Sequence, residues 1–244
     1  MKIEAKLIRP AILCLIFLLL NVRLSISQEN AQRLTGTWQL KNGPTEEILI
    51  FMDDYFTHTI FSPSAKSFEQ TRGGVFQVTN NEIVASIEFN SKSKDEVGQE
   101  KKYLFSVKNN LLSTDINGKS GQWNRVDEGS APLAGVWRIT DRQQDGKIVP
   151  IHQSGTRKTL KILTGTRFQW AAIDPGTKEF SGTGGGTYSF TNGKYIENIE
   201  FFSRDSSRVG AKLSFDGKLE NGKWHHSGLS SKGDKIYEVW GRIK

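Results

Sequence analysis

From residue 36 onward the chain alternates apolar and polar side chains in short runs. Phe56, His58 and Ile60, then Phe168, Trp170 and Ala172, then Tyr188 and Phe190 recur at every second position. That period belongs to half-buried β-strands, whose successive side chains point to opposite faces. Turn signals break the runs at close intervals: Asn42-Gly43-Pro44, Asp53-Asp54, Asn80-Asn81, Asn109-Asn110, Asn117-Gly118, Asp145-Gly146, Asn192-Gly193, Asp216-Gly217, Asn221-Gly222 and Lys232-Gly233. These residue types tolerate the positive φ angles that tight hairpins require. Helix signals are nearly absent, so the pattern predicts an all-β chain of antiparallel hairpins.

Self-similarity then organises the strands. Gly36-Thr37-Trp38 and Gly135-Val136-Trp137 open two units, and Trp123-Asn124-Arg125 and Trp240-Gly241-Arg242 close them. Between these marks Thr71 through Gly98 aligns without a gap onto Thr183 through Gly210, at a constant offset of 112 residues, so that Ile87-Glu88-Phe89 returns as Ile199-Glu200-Phe201. The division is residues 28–128 and 129–244, each with eight predicted strands; the second unit adds a longer loop from Gln143 to Arg157 that carries Pro150 and His152. Eight hairpin-linked strands in about 95 to 110 residues close into an up-and-down barrel or form a two-sheet sandwich. The marks favour the barrel. Closure makes the first and last strands neighbours, which lets Arg125 lie across Trp38 and Arg242 across Trp137, a contact that contributes roughly 0.5 to 2 kcal/mol. Gly73-Gly74 and Gly184-Gly185-Gly186 recur together and predict a bulge or kink in a strand.

A Gly-x-Trp first strand and an arginine of the last strand packed on that tryptophan resemble the lipocalins and their calycin relatives. The stretch Thr166 to Ile173, with Ile199-Glu200-Phe201-Phe202 and Trp224-His225-His226-Ser227-Gly228, looks like an uncharacterised family of secreted lipocalin-like proteins of Gram-negative bacteria. The resemblance implies fold and export and brings no activity with it. The chain departs from the better-known lipocalins in its short repeats, its two units and its lack of a disulfide.

Export is also expected from the leading segment. Lys2, Lys6 and Arg9 precede an apolar run from Ala11 to Leu20, and Ser25-Ile26-Ser27 offers small residues for cleavage before Gln28. The apolar run is short of the roughly 20 residues that span a bilayer. The one cysteine, Cys14, lies inside this segment, so disulfides and thiol chemistry drop out of the mature chain. Removing residues 1–27 lowers the formal charge from +7 to +4. The remaining basic residues are scattered among acids, which excludes a nucleic-acid partner and leaves envelope glycans or proteins as possible surface partners. Interrupting charges, Lys161 and Lys194 among them, argue against a membrane-spanning barrel.

An eight-stranded barrel has room for its own side chains or for one small ligand. The second unit supplies the large inward candidates: Phe168, Trp170, Tyr188, Phe201, Trp224 and Tyr237, with Glu197 and His226 as polar anchors. Alternation puts Tyr195, Glu197, Ile199 and Phe201 on one face, and a buried Glu197 would need a partner. His226 is such a partner, for orienting a ligand or moving a proton; it can equally be satisfied by a neighbouring hydroxyl. Adjacent strand histidines diverge, so His225-His226 predicts no metal site. No cofactor motif, nucleophile elbow or zinc helix occurs. Three classes follow: an exported, non-enzymatic binding protein that takes a small apolar or amphipathic molecule in the second barrel; a structural or interaction protein with filled barrels; and an enzyme that uses Glu197 or His226. The first is the expectation, with the periplasm or the cell exterior as its place. The first unit has His58 where the second has Trp170, and Phe76 where it has Tyr188, so it is expected to act as scaffold.

Overall fold

The computed structural model of the chain describes residues 29–151, 153–230 and 232–243. The expected leader 1–27, with Cys14, and His152 lie outside the described residues. The first unit runs β1 (Gly36–Asn42), β2 (Thr45–Met52), β3 (Tyr55–Ser62), β4 (Ser67–Thr79), β5 (Glu82–Asn90), β6 (Glu100–Lys108), β7 (Leu111–Thr114) and β8 (Gly121–Asp127). Each strand pairs antiparallel with the next, and β8 returns to β1, so the barrel is closed. The second unit runs β9 (Gly135–Gln144), β10 (Lys147–Pro150), β11 (Lys158–Leu163), β12 (Arg167–Asp174), β13 (Glu179–Thr191), β14 (Lys194–Phe202), β15 (Lys212–Glu220), β16 (Lys223–Leu229) and β17 (Lys235–Arg242). Pairing of β9 with β17 closes a second eight-stranded ring, and β10 stands outside it as the hairpin partner of β9.

Most turn signals act as read: Asp53, Asn80, Asn109, Asn110, Asp145, Asn192 and Asn221 all take positive φ. Two expectations are corrected. Asp216-Gly217 is no turn, because Gly217 lies inside β15 opposite His226; a Cβ there would meet the Phe190 ring at 2.9 Å and the Trp224 indole nitrogen at 3.4 Å. The glycine makes room for those rings. The stretch from Gln143 is partly strand, since β9 continues through Gln144 and turns into β10.

Closure is built as the Trp and Arg marks predict. The Arg125 guanidinium lies 4.0 Å from the Trp38 ring and donates to the Thr35 and Arg33 carbonyls at 2.8 and 2.6 Å. Arg242 lies 5.6 Å from the Trp137 ring and donates to the Ala134 carbonyl. Each indole N–H in turn donates four residues back, Trp38 to Leu34 at 2.8 Å and Trp137 to Leu133 at 2.9 Å. The two ends are sealed by the same device.

The glycine runs produce matched bulges. Gly74 pairs with Ile87 and Gly73 with Phe89, leaving Glu88 as an extra residue; Gly186 pairs with Ile199 and Gly185 with Phe201, leaving Glu200 extra. A side chain at Gly74 or Gly186 would strike the Ser86 or Asn198 carbonyl of the neighbouring strand. One extra residue exchanges the faces of everything beyond it. Phe89 and Phe201 therefore turn out of their barrels and toward each other's unit.

The barrels meet along a reciprocal face. Phe89 stacks on Phe180 at 6.1 Å, and Phe201 stacks on Phe68 at 6.4 Å; under the 112-residue offset these are the same pair with the roles exchanged. Ile48 and Ile50 of β2 meet Leu160 and Ile162 of β11 in the same cluster. At its centre Gln169 donates to Thr71 and Thr183, both at 3.0 Å, and accepts from Thr59 at 3.0 Å, which satisfies an otherwise costly buried amide. Lys158 reaches across to Glu88 at 2.7 Å. Asp127 accepts from the Gly165 N–H at 3.0 Å and from the Thr164 and Thr166 hydroxyls at 2.9 and 2.8 Å. Burial pushes the Asp127 carboxyl up, but the donors at Gly165, Gly129, Thr166 and Thr164 outweigh it and hold it below the usual carboxylate range.

Candidate functional site

The interior of the second barrel is filled at one end and open at the other. Trp137, Leu163, Phe168, Tyr188, Tyr195 and Trp224 pack into a continuous core, and the Tyr188 hydroxyl donates to the Thr164 carbonyl at 2.6 Å. Above them lies a cavity of about 240 Å³, with Trp170, Phe202, Phe215 and Trp240 among its walls and Lys161, Glu197, His226 and Glu238 as its titratable groups. Trp170 and Phe202 meet edge to face at 5.4 Å.

Lys161 is the central charge. It donates to Glu197 at 2.8 Å, and both side chains are only 6% exposed. Its ammonium sits 5.2 Å from the centres of the Tyr195 and Trp224 rings and 5.3 Å from that of Trp240. Aromatic faces offset part of the cation's lost hydration. The Tyr195 hydroxyl is pushed well above its ordinary pKa by burial first and by the Glu197 charge second, so it stays neutral.

His226 is 2% exposed, and neither ring nitrogen has a hydrogen-bond partner among the described residues. Its Nδ1 lies 3.4 Å from Glu238, which also accepts from the Trp240 indole N–H at 3.2 Å. Burial and then the Lys161 charge lower the imidazole pKa, and the nearby Glu238 and Glu197 only partly oppose them. The ring is therefore neutral at physiological pH, with one donor and one acceptor to offer. Burial also raises the Glu238 carboxyl, but His226, Lys161 and the Trp240 N–H outweigh it and hold the group below its usual range.

The expected site residues thus divide. Trp170, Glu197 and His226 line the cavity. Phe168, Trp224 and Tyr188 are core beneath it. Phe201 is not inside the barrel, because the bulge at Glu200 turns it into the inter-barrel face. Tyr237 is not inside either: β17 pairs with β16 without a break, so Glu238 and Trp240 share the inward face with His226 and Trp224, and Tyr237 points outward, where its hydroxyl is 2.9 Å from His225 Nδ1. The expected pairing of Glu197 with His226 is replaced by two pairings, Glu197 with Lys161 and His226 with Glu238. The residues missed include Lys161, Phe202, Glu238 and Trp240.

Strand register identifies what the first barrel has instead. Leu49 stands opposite Trp38 as Lys161 stands opposite Trp137; Ala85 faces Phe76 as Glu197 faces Tyr188; Thr114 faces Gly121 as His226 faces Glu238. The ionic floor belongs to the second barrel alone. His58 of the first barrel replaces Trp170 and bonds Glu47 at 2.9 Å, and Arg72 pairs with Glu96 at 3.9 Å. Both pairs border an open basin at that end of the first barrel.

Acidification tests the buried imidazoles. The folded-state pKa of both His58 and His226 is lowered chiefly by burial. Below the unfolded value of about 6.5 the unfolded chain therefore binds more protons than the folded one, and stability falls as pH falls. Urea midpoints are expected to be level above pH 7 and to drop between pH 6.5 and 5, with a smaller drop for His226→Thr. An identical slope in the variant would show that His226 does not titrate this way.

No family model matches the chain, and no curated protein matches it either. Among the described residues no helix is long and apolar enough to cross a membrane.

Proposed function

We propose that the chain is an exported, non-enzymatic binding protein that holds a small amphipathic molecule in its second barrel. The observation that carries this reading is the buried His226, whose Nε2 has no hydrogen-bond partner among the described residues, at a cavity whose walls include Trp170, Phe202, Phe215 and Trp240. A buried polar group without a partner is destabilising by about 1–3 kcal/mol. A ligand atom that bonds it recovers that loss on binding. The aromatic walls add about 0.8 kcal/mol per methylene covered, against an association cost of at least about 4 kcal/mol. Export rests on the basic, apolar and small-residue succession of residues 1–27, and membership of the secreted lipocalin-like proteins of Gram-negative bacteria remains part of the same proposal.

The test is fluorescence titration of the chain from Gln28 onward with the uncharged probe N-phenyl-1-naphthylamine. Probe emission is expected to rise and Trp emission to fall on binding, and Trp170→Ala is expected to weaken binding at least tenfold. Trp224→Ala is the poorer variant, since Trp224 lies in the filled core and its loss unsettles the fold. Unchanged affinity in Trp170→Ala would refute the second barrel as the site.

A further inference from the structure

The wall of the second barrel has a gap. β9 pairs with β11 only where Gly135–Arg138 face Leu160–Leu163. Beyond Arg138 it turns aside to pair with β10 and β17, so Lys158 and Thr159 have no partner on that side. The segment after β10 bridges the opening, with the Ile151 N–H donating to Thr140 at 2.8 Å and the Gln153 amide to Ile139 at 3.2 Å. Beneath it is a chamber of about 590 Å³ that shares Thr159 and Glu238 with the inner cavity. The two cavities lie side by side, with Thr159 and Glu238 at their common border.

The outer chamber is basic. Arg138, Arg142, Arg157 and Lys158 line it, and Glu238 is its one acidic side chain among the described residues. Lys158 is already neutralised by Glu88 at 2.7 Å. Arg138 donates to the Arg157 carbonyl at 3.2 Å, and none of the three arginines makes an ion pair among the described residues. Three arginines thus line one opening without a carboxylate partner of their own, and an oxyanion accepts from guanidinium in the paired geometry that it favours. The inner cavity, at about 240 Å³, is smaller than the roughly 300–1,000 Å³ of pockets that enclose drug-sized ligands. A ligand of that size therefore reaches beyond the inner cavity, and the basic chamber is the neighbouring concave surface that shares residues with it.

Resting on the binding reading above, we infer that the ligand is an amphipathic anion: its carboxylate, sulfonate, sulfate or phosphate head lies on Arg138, Arg142 and Arg157, and its apolar body passes Glu238 to bring a polar atom to His226. Glu238 contributes selectivity. Its carboxylate repels a head driven too deep, so the charge stays in the outer chamber and the neutral body goes inward. The order of charges fixes the ligand's direction as well as its class.

A matched pair of probes separates the head from the body. N-phenyl-1-naphthylamine is uncharged, and 8-anilinonaphthalene-1-sulfonate is the same ring system with a sulfonate. The full mature chain is expected to bind the sulfonate at least tenfold more tightly at low salt, with the advantage shrinking as ionic strength screens the arginines. Arg142→Gln combined with Arg157→Gln is expected to bring the sulfonate to the affinity of the uncharged probe while leaving the latter unchanged. His226→Thr is expected to weaken both probes alike, by about threefold to tenfold. Trp170→Ala must abolish the sulfonate signal, because a signal that survives reports adventitious surface binding and overturns the inference. Equal affinity for the two probes, or indifference to the paired arginine change, overturns the anion assignment and leaves the binding reading standing. Binding of neither probe overturns both.

Discussion

Replacing Lys161 alone with leucine is expected to lower the unfolding free energy by about 3–5 kcal/mol, and replacing Lys161 and Glu197 together with leucine and alanine is expected to restore most of that loss. The single change strands a carboxylate that is 6% exposed and removes its 2.8 Å partner. The Tyr195 hydroxyl, which burial and the Glu197 charge keep neutral, supplies no replacement cation. The double change installs the pair that the first barrel already buries at the equivalent sites, Leu49 and Ala85. Two charges taken out of water recover their lost hydration only when the geometry is excellent, so an apolar pair of matched shape is as stable or more so. Urea denaturation of the wild type, both single variants and the double variant forms a complete cycle. If Lys161→Leu and the double variant lose the same amount, the stranded Glu197 carboxylate carries no penalty and reaches water through the cavity mouth. If the expected pattern holds, the second barrel retains an ionic floor that stability does not require. The double variant should then also bind the sulfonate probe with a changed affinity, because the field that sets the charge states of His226 and Glu238 has lost one of its sources.

Legibility in the sequence followed the local rules and failed where two barrels share a face. The Trp and Arg marks are short-range signals repeated at matching places, and both closures form around them. Asn- and Gly-bearing turns act through φ alone and need no tertiary context. The period-two signal, by contrast, supposes one wet face. In β11 the run Leu160-Lys161-Ile162-Leu163 is buried on both sides, with Leu160 and Ile162 against the first barrel and Leu163 in the interior. A lysine in such a run reads as an interruption. The repeat itself held the missing signal, since the 112-residue offset places Lys161 on Leu49, a plainly apolar position. Phe201 failed because the bulge at Glu200 breaks the alternation that places it on the face of Glu197. The glycines announced that shift, but the face exchange that follows from it depends on which strand carries the extra residue. Tyr237 failed without any shift, since it stands one residue off the inward face of β17 that Glu238 and Trp240 occupy.

Phe201→Ala is expected to cost about 3–5 kcal/mol while leaving probe binding in the second barrel intact. Phe201 is 3% exposed, lies 4.8 Å from the Phe61 ring and 6.4 Å from that of Phe68, and covers Gly185 so closely that a Cβ there would be 2.5 Å from the ring. Truncation leaves a void between two rigid walls, neither of which can collapse without distorting its own ladder. Because the contact is reciprocal, Phe89→Ala should cost a comparable amount by opening the gap against Phe180. The pair of variants distinguishes an interface from a ligand wall: the effect should fall on stability and cooperativity, with wild-type unfolding in one transition separating toward two as the barrels uncouple. A Phe201→Ala chain that keeps wild-type stability but loses the probe would return Phe201 to the binding site and break the face assignment. Symmetric losses with retained binding would instead mean that the two halves stabilise each other as the subunits of an isologous dimer do. The half without an ionic floor would then hold in place the face on which the cavity-bearing half is built.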